Sequence, residues 1–369
     1  AACPEFAYSP QQSSPVVERA LAAGALFIGK TNLDQFCTGL VGVRSPYGIP
    51  RNPHNPDYIT GGSSSGAAVS VATGTSSFAL GTDTGGSGRV PASYCGITGL
   101  KPAPGALSRR GMVYACRSFD TVSVYTQTPK DAIDVLTALA AFDPEDGLSD
   151  PSYSLDRIGL PARGASDCRL AVPKSADLRF FGNREIEGLF QDAVETARTK
   201  FRCVAEVDLS PFTDINDLMF FGPFLAERDA SVGEFLELNP DAGLPIIRQL
   251  ILASRRFSAA DTYRALYQVV DAKARLRPFW QNYDALLVPT VGTLLTLKQV
   301  IDDPLTPNFN NGYYTNFANP LGLAAISVPS AITAVGVPHG VTFVAPAGAE
   351  LLLANVADIF LARVPSRYR

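Results

Sequence analysis

The sequence predicts a protein of the α/β class, because short apolar segments of strand length alternate along it with longer amphipathic segments. Of the 369 residues, 46% are apolar and 18% are charged, which is enough apolar material for a sizeable core in one large domain or two ordinary ones. We find no internal repeat of about 20–50 residues and no coiled-coil heptad pattern. A solenoid and a coiled coil are therefore excluded.

The helices are predicted from apolar residues at helical spacing. Ser14–Ala23 begins with Ser14 as a candidate N-cap and Pro15 in the first helical position, an arrangement that favours helix initiation. Ile215–Leu236 contains a glycine–proline pair at 222–223, and a proline lacks the N–H that a helix interior needs, so this helix should be kinked or split there. The other predicted helices are Gly66–Thr73, Pro129–Ala141, Arg184–Lys200, Pro245–Arg255 and Ala259–Phe279.

The strands are predicted from short apolar runs between turn-forming residues. The first of them, Ala25–Ile28, is apolar throughout, and we expect it to be a buried strand. The others are Ser77–Leu80, Arg169–Val172, Val204–Leu209, Ala285–Val288, Ala325–Val328 and Val341–Val344. The polar segment Asp143–Ser166 is rich in proline and glycine, so we expect it to form a surface excursion.

The charge balance argues against two classes of partner. There are 31 Lys and Arg against 35 Asp and Glu, and a net charge of -4 gives no bulk attraction to nucleic acid or to anionic lipid. The longest apolar runs, such as Glu350–Ala362, are interrupted by charge and are shorter than the roughly 20 residues of a membrane span. Neither nucleic acid nor a membrane is an expected partner.

Histidine and cysteine are scarce or scattered. The two histidines, His54 and His339, and the six cysteines show no C-x-x-C or H-x-x-x-H spacing, so we expect no zinc site and no cofactor. Catalysis that depends on histidine is disfavoured.

Ala1–Pro10 lacks the basic start and apolar run of a secretory signal, and scattered cysteines suit free thiols in a reducing compartment. We therefore expect a cytoplasmic protein.

One segment matches a nucleotide-binding motif in form. Gly24–Thr31, with the sequence GALFIGKT, fits the phosphate-loop pattern G-x-x-x-x-G-K-[ST]. That loop requires a strand before its first glycine and a flexible turn after it. Here a predicted helix precedes Gly24 and the predicted strand fills the turn positions. We therefore interpret the segment as helix–turn–strand with Lys30 at its end, and a nucleotide-binding protein is the alternative.

Two glycine-rich loops each allow two interpretations. Gly61–Gly66 has the composition of a flexible linker, yet it runs directly into a predicted helix whose N-terminus would favour an anion. Gly81–Arg89 follows a predicted strand and is either a strand-to-helix turn or a loop whose N–H groups form an oxyanion hole beside a serine. From the residues alone, both interpretations stay open for each loop.

The stretch Gly61–Pro102, which contains both loops, closely resembles the signature of the amidase signature family. The resemblance extends over essentially the whole chain, from AACPEFAYSP through GALFIGKTNLDQF to Gly340–Phe343. It implies a mixed β-sheet sandwiched between α-helices and a single amidase domain over residues 1–369. It also implies amide hydrolysis through an acyl-enzyme by a Ser–cis-Ser–Lys triad, which needs no histidine.

The resemblance also implies roles for individual residues. Ser87 matches the last serine of the family's D-x-G-G-S motif and is the implied nucleophile. Ser63 matches the bridging serine, whose preceding peptide bond is cis in the family. The backbone N–H groups of Thr84, Gly85, Gly86 and Ser87 match the oxyanion hole.

The sequence departs from the family pattern at the catalytic lysine. In the family this lysine lies in a K-D-x motif upstream of the segment that matches Ala1–Phe6. No K-D-x precedes Ser63, and Lys30 and Lys101 occupy other family elements. We expect the lysine to lie upstream of residue 1; the alternative is an inactive binding or scaffold subunit.

Within the family, Thr31–Gly48 and Gly222–Ala230 most resemble allophanate hydrolases, which release ammonia from a carboxylated urea in urea, biuret and s-triazine breakdown. The resemblance implies that Arg228 binds the substrate carboxylate, a role that a planar guanidinium suits, and that Gly39 contacts the substrate through its backbone. Without the resemblance, Arg228 would be assigned to the solvated side of its helix. Phe220 stands where the family usually has a substrate-binding tyrosine, which removes one hydrogen bond to the substrate.

The substrate assignment has alternatives within the same family. A biuret-type or other small-amide hydrolase and a glutaminase-like subunit of an amidotransferase would share the two serine loops. The family precedent also implies a homodimer, and allophanate hydrolases commonly carry a further C-terminal domain.

Overall fold

The computed structural model describes residues 1–161 and 164–362. The strands found within these ranges are β1 Phe78–Asp83, β2 Thr98–Lys101, β3 Thr121–Thr126, β4 Arg169–Pro173, β5 Cys203–Val207, β6 Ala285–Pro289, β7 Ala324–Ile332 and β8 Pro338–Ala345. They form one sheet in the order β1-β3-β2-β7-β8-β6-β4-β5. Strand β4 runs parallel to both β5 and β6, and the other neighbouring pairs are antiparallel, so the sheet is mixed.

The α-helices of the described residues surround this sheet. They are α1 Pro15–Ala22, α2 Ser65–Ala72, α3 Val90–Cys95, α4 Pro129–Leu139, α5 Arg184–Lys200, α6 Ser210–Thr213, α7 Asp217–Phe220, α8 Ala226–Leu238, α9 Pro245–Leu252, α10 Ala259–Asn282, α11 Leu297–Asp302, α12 Thr306–Gly312 and α13 Glu350–Leu361. In this part of the chain, no helix combines the length and the apolar character that crossing a membrane requires.

Both faces of the sheet are apolar and both are covered by helices. On β4, Leu170 and Val172 belong to one core cluster, while Ala171 between them belongs to a second cluster. Residues of α4, α5 and α13 complete the first cluster, and residues of α6 and α10 contribute to the second. Strands buried on both faces carry nearly continuous apolar runs, which is why the sequence revealed β6 and β7. The predicted sheet between helices is therefore confirmed.

Most predicted elements are present, with boundaries shifted by a few residues. The segment predicted as one interrupted helix is divided as expected: α7 ends at Phe220, a 3-10 turn spans Pro223–Leu225, and α8 begins at Ala226. Strand β1 continues to Asp83, so the second glycine loop is confined to residues 84–89. The proline at 223 separates the two helices because it cannot donate a hydrogen bond to the preceding turn.

The predicted buried strand Ala25–Ile28 is wrong. Leu26, Phe27 and Ile28 are 89%, 63% and 67% exposed, and no strand is formed at these positions. An apolar run favours a buried strand only where another strand can satisfy its backbone and other side chains can cover it. The described residues provide neither at this place.

The segment predicted as a surface excursion is hydrogen-bonded to the body at its start and again at Asp150, Leu155 and Ile158. It includes residues 162–163, which lie outside the described residues, and its described part contains only the short 3-10 helix Ala165–Asp167. Asp143 is buried and accepts hydrogen bonds from Ser108 Oγ at 2.6 Å and Arg110 Nε at 2.7 Å. Asp146 is also buried and accepts from the backbone N of Arg109 at 2.9 Å.

Candidate active site

The fold brings the two glycine-rich loops together. The first runs into α2, and the second connects the end of β1 with α3. Ser64 Oγ accepts a hydrogen bond from the backbone N of Thr82 at 3.1 Å and donates to the Thr82 carbonyl oxygen at 3.2 Å. A Cβ on Gly61 would lie 3.0 Å from Pro91 Cα, so the loops also touch at their other ends. The first loop is buried, and its interpretation as a flexible linker is wrong.

Each loop carries one of the two predicted catalytic serines. Ser63 is 0% exposed, its peptide bond with Gly62 is cis, and its Oγ has no hydrogen-bond partner among the described residues. Ser87 is 3% exposed, and its carbonyl oxygen accepts a hydrogen bond from the Tyr125 hydroxyl at 2.5 Å. Both hydroxyls are therefore held on fixed backbone with capacity for further hydrogen bonds.

A buried ion pair fixes the loop that carries Ser87. Asp83 and Arg89 are both 0% exposed and pair at 2.9 Å. Asp83 also accepts hydrogen bonds from the backbone N of Gly86 at 2.9 Å and of Gly88 at 3.0 Å. Burial alone would raise the pKa of Asp83, but the charge and hydrogen bonds of Arg89 outweigh it and hold this pKa below its usual value.

The ion pair changes which N–H groups are available at the predicted oxyanion hole. Because Gly86 N already donates to Asp83, this N–H serves the loop itself. Within the described ranges, the N–H groups of Thr84, Gly85 and Ser87 make no hydrogen bond to a protein acceptor. Three of the four predicted donors are therefore open to an incoming oxygen.

Two residues in the segment before β7 also hold the loop that carries Ser87. Thr315 Oγ1 donates to the Gly85 carbonyl oxygen at 2.7 Å, and Asn319 Nδ2 donates to the Asp83 carbonyl oxygen at 2.7 Å. Gly86 has a φ of +137°, and a Cβ there would overlap with the Thr315 side chain, so the position requires glycine. No sequence motif predicts Thr315 or Asn319 as site residues; the one signal in the sequence is that polar residues occur here within an apolar stretch.

Asp120 is a further site residue that the sequence analysis missed. Its carboxylate accepts hydrogen bonds from Thr84 Oγ1 at 2.5 Å and from the backbone N of Ala115 at 2.8 Å. Complete burial raises the pKa of Asp120 to about 6, although these hydrogen bonds act in the opposite direction. Asp120 thus connects residues 84–87, which we call the oxyanion loop after their predicted role, to the turn before β3.

Arg228 is buried beside this loop, so its alternative assignment to a solvated helix side is wrong. The side chain is 1% exposed, and Nε, Nη1 and Nη2 all lack a hydrogen-bond partner among the residues described. Its guanidinium lies 5.3 Å from the ring centroid of Phe220. A Cβ on Gly85 would lie 2.7 Å from Phe220 Cε2, so the edge of the same phenyl ring contacts Gly85.

Gly39 lies in a buried loop on the Ser63 side of the site. Asp34 organises this loop by accepting hydrogen bonds from the backbone N of Gly42 at 2.9 Å and of Arg44 at 2.8 Å. The backbone N of Asp34 in turn donates to the Ser63 carbonyl oxygen at 2.9 Å. The structure therefore joins the loop of Gly39 to the loop of Ser63.

The alternative nucleotide site lacks its required architecture. Residues 24–31 form neither a strand nor a helix, and Lys30 is exposed. A phosphate loop would need a strand before Gly24 and a helix after Thr31. Among the residues described, no group of three or more His, Cys, Asp or Glu side chains is placed to hold a metal ion.

Comparisons with known proteins match both the fold and these loops. The amidase family model matches residues 2–353. The chain is 36% identical to a urea amidolyase of Saccharomyces cerevisiae, covering 99% of this chain and 20% of that protein. It is 33% identical to a glutamyl-tRNA(Gln) amidotransferase subunit of Synechococcus, covering 96% of this chain and 77% of that protein. An allophanate hydrolase of Kluyveromyces lactis has a TM-score of 0.93 at 36% identity, covering 100% of this chain and 60% of that one.

These relatives differ in how much of each corresponds to this chain. The chain spans 20% of the length of the yeast urea amidolyase but 77% of the amidotransferase subunit. The resemblance seen in the stretch Gly61–Pro102 is confirmed by the family model, which includes that stretch. Because the model covers nearly the whole chain and the site carries both serine loops, this chain belongs to the amidase family.

Proposed function

We propose that this chain releases ammonia from allophanate, a urea that carries a carboxylate, in urea, biuret or s-triazine breakdown. The observation that carries the proposal is Arg228, a buried guanidinium with no hydrogen-bond partner among the described residues, beside the oxyanion loop. A buried cation is costly unless an anion pairs with it, and a carboxylate matches the guanidinium geometry. Likeness to proteins named urea amidolyase and allophanate hydrolase supports the same substrate.

In the proposed reaction, Ser87 Oγ attacks the carbonyl carbon that carries the terminal amino group. Its proton passes to Ser63, while the Ser63 proton passes to a base, which the family resemblance makes a lysine. The carbonyl oxygen becomes negative and accepts hydrogen bonds from the N–H groups of Thr84, Gly85 and Ser87. The proton then returns to the leaving amino group, so ammonia departs and an ester on Ser87 remains.

The second half of the reaction restores the enzyme. Water attacks the ester carbon and loses a proton along the same path, while Ser87 regains its hydrogen and leaves. The product is a carbamate that keeps the original carboxylate. Throughout, Arg228 would hold this carboxylate and Gly39 would contact the substrate through its backbone, so that the reacting carbon stays beside Ser87.

Phe220 gives the substrate an apolar wall. Its ring contacts both Gly85 and Arg228 and cannot donate the hydrogen bond that a tyrosine would supply. We therefore propose that orientation of the carboxylate depends more on the guanidinium in this chain. This dependence makes Arg228 the residue to test.

The test is ammonia release by the full natural protein from allophanate, biuret, malonamate and glutamine. We expect allophanate to be the preferred substrate and Ser87→Ala to abolish release. Arg228→Gln should lower kcat/KM for allophanate by roughly 10–100-fold, since a charged hydrogen bond is lost, and should affect uncharged biuret much less. Arg264→Gln is the matched control, because Arg264 lies exposed on α10 with a side chain 70% accessible.

Other outcomes would contradict the proposal. Equal rates with allophanate and biuret would indicate a small-amide hydrolase without carboxylate selection. Glutamine as the best substrate would indicate a glutaminase-like subunit. Folded protein with no release from any of the four, and no covalent labelling of Ser87 by a fluorophosphonate, would indicate a binding subunit.

Three coarser expectations accompany this function. We propose that residues 1–369 belong to one domain, which the single sheet of the described ranges supports. Family precedent supports a homodimer, and scattered cysteines without a secretory signal support a cytoplasmic location. Sedimentation of the full natural protein and fractionation of the producing cells would test the last two.

A further inference from the structure

We propose that Asn316 is a specificity-determining residue whose side-chain oxygen accepts a hydrogen bond from the N–H group between the reacting carbonyl and the carboxylate of the substrate. Asn316 would thereby favour ureido acids over acids that have a methylene group in place of this N–H group. The inference rests on the proposed function, because it requires a substrate with a carboxylate at Arg228. It assigns a contact in the middle of the substrate, which neither Arg228 nor the oxyanion loop provides.

Asn316 lies next to the oxyanion loop. A Cβ built on Gly85 would lie 2.9 Å from Asn316 Oδ1 and 2.7 Å from Phe220 Cε2. The amide oxygen of Asn316 and the edge of the Phe220 ring therefore both lie close to Gly85. The same ring also lies under the Arg228 guanidinium, which is 5.3 Å from its centroid, so Phe220 connects the surroundings of Asn316 Oδ1 with the proposed carboxylate site.

The Asn316 side chain has hydrogen-bonding capacity that the fold does not use. It is 7% exposed, and its Oδ1 is buried without a partner in the described part of the chain. Its neighbours are fully engaged: Thr315 Oγ1 donates to the Gly85 carbonyl, and Asn319 Nδ2 donates to the carbonyls of Asp83 and Phe119. A buried amide oxygen without a donor costs stability, so its retention here fits a donor that arrives with the substrate.

The order of groups in the proposed substrate matches the order of groups in the site. Allophanate has an amide carbonyl, then an N–H, then a carboxylate. With the carbonyl oxygen at residues 84–87 and the carboxylate at Arg228, the N–H of the substrate would lie between them, and Asn316 Oδ1, next to Gly85, would accept its hydrogen bond. A carbonyl oxygen of an amide side chain accepts hydrogen bonds and cannot donate them. A methylene group at the same place would leave this acceptor unpaired, which is how a polar site rejects an isostere.

Allophanate and malonamate provide the test, because they differ at this one group. The full natural protein and Asn316→Ala are assayed for kcat/KM with both compounds, and the ratio of the two values is compared. We expect Asn316→Ala to lower the value for allophanate about tenfold more than the value for malonamate, as expected for one buried hydrogen bond. Asn316→Asp keeps an acceptor at the same position, and should keep the ratio near that of the unchanged protein even if both rates fall.

The ratio separates this inference from folding defects and from the proposed function. A loss of folded protein lowers both values equally, so equal losses in Asn316→Ala would show a purely structural role and overturn the inference. A changed ratio in Asn316→Asp as large as in Asn316→Ala would also overturn it. If the unchanged protein releases ammonia from neither compound but does so from glutamine or biuret, the proposed function fails first and the inference fails with it.

Discussion

At the scale of single residues, the buried polar groups fall into two classes by whether the fold pairs them. Asp83 and Arg89 are completely buried, bind each other, and hold the loop that carries Ser87. The side chains of Ser63 and Arg228 are as deeply buried, but Ser63 Oγ and the Arg228 guanidinium have no hydrogen-bond partner among the described residues. We infer that the Asp83–Arg89 pair supports the backbone of the site and that Ser63 and Arg228 act on the substrate, since stability alone would favour apolar residues at these two unpaired positions.

This distinction predicts opposite effects from two buried arginines. Arg228→Met should raise the free energy of unfolding by about 1–2 kcal/mol, because it removes an unpaired buried charge while keeping most of the side-chain volume. Arg89→Met should lower it by roughly 3–5 kcal/mol, because it leaves Asp83 buried without its cation. Urea denaturation of both variants measures the two changes. A loss of stability in Arg228→Met would show that its guanidinium is satisfied within the fold.

At the scale of elements, close contacts between backbones determine where the site forms. Strand β2 passes directly beneath the second glycine loop: a Cβ on Gly99 would overlap with the carbonyl oxygen of Gly88 and lie 2.6 Å from Ala92 Cβ. The glycine allows β2 and α3 to approach, and this approach supports the residues just after Ser87. The same residue type has no such role where a helix faces open space.

Two glycine substitutions should therefore have opposite signs. Gly99→Ala should destabilise the protein by about 1–3 kcal/mol or more and reduce activity, because the new methyl group pushes β2 away from the loop. Gly188 lies within α5, and a Cβ there would have no atom within 4 Å, so Gly188→Ala should stabilise by about 1 kcal/mol. Thermal unfolding and ammonia release of the two variants check this contrast. Equal effects of both substitutions would contradict the close approach at Gly99.

At the scale of the whole molecule, the sheet also encloses ionisable groups to which no role in catalysis or substrate binding is assigned. Lys101 on β2 is 0% exposed, and its Nζ donates to the Pro102 carbonyl oxygen at 3.0 Å. Burial lowers the pKa of Lys101 to about 7, with Asp83 and Glu350 acting in the opposite direction and Arg89 in the same direction. The folded protein therefore binds the Lys101 proton more weakly than the unfolded chain does.

This difference predicts how stability depends on pH. Between about pH 7 and pH 10 the unfolded chain retains the Lys101 proton and the folded protein does not, so the contribution of this group to stability becomes more favourable as pH rises. Lys101→Met removes that dependence. The free energy of unfolding of the unchanged protein minus that of Lys101→Met should therefore increase between pH 7 and pH 10, as measured by urea denaturation. Parallel curves over this range would show that Lys101 stays charged when buried.

Local features of this protein can be predicted from the order of its residues alone. Apolar runs revealed strands such as β6 and β7, the glycine–proline pair located the break before α8, and the resemblance of the two serine loops to the family signature pointed to Ser63 and Ser87 as candidates. Each of these features depends on neighbouring residues only, through periodicity, backbone freedom or a contiguous motif. The same local information misplaced Leu26–Ile28, because burial depends on what packs against a segment.

Which distant residues meet at the site depends on how the sheet and the helices pack. Thr315, Asn316 and Asn319 lie more than 200 residues after Ser87, yet they contact the loop that carries it because β2 and β7 are adjacent in the sheet. Helical periodicity favoured a solvated Arg228, whereas in the structure Arg228 is buried and lies over the ring of Phe220. Strand order and helix packing arise from contacts between segments far apart in sequence, and these contacts leave no periodic pattern in the residues that make them.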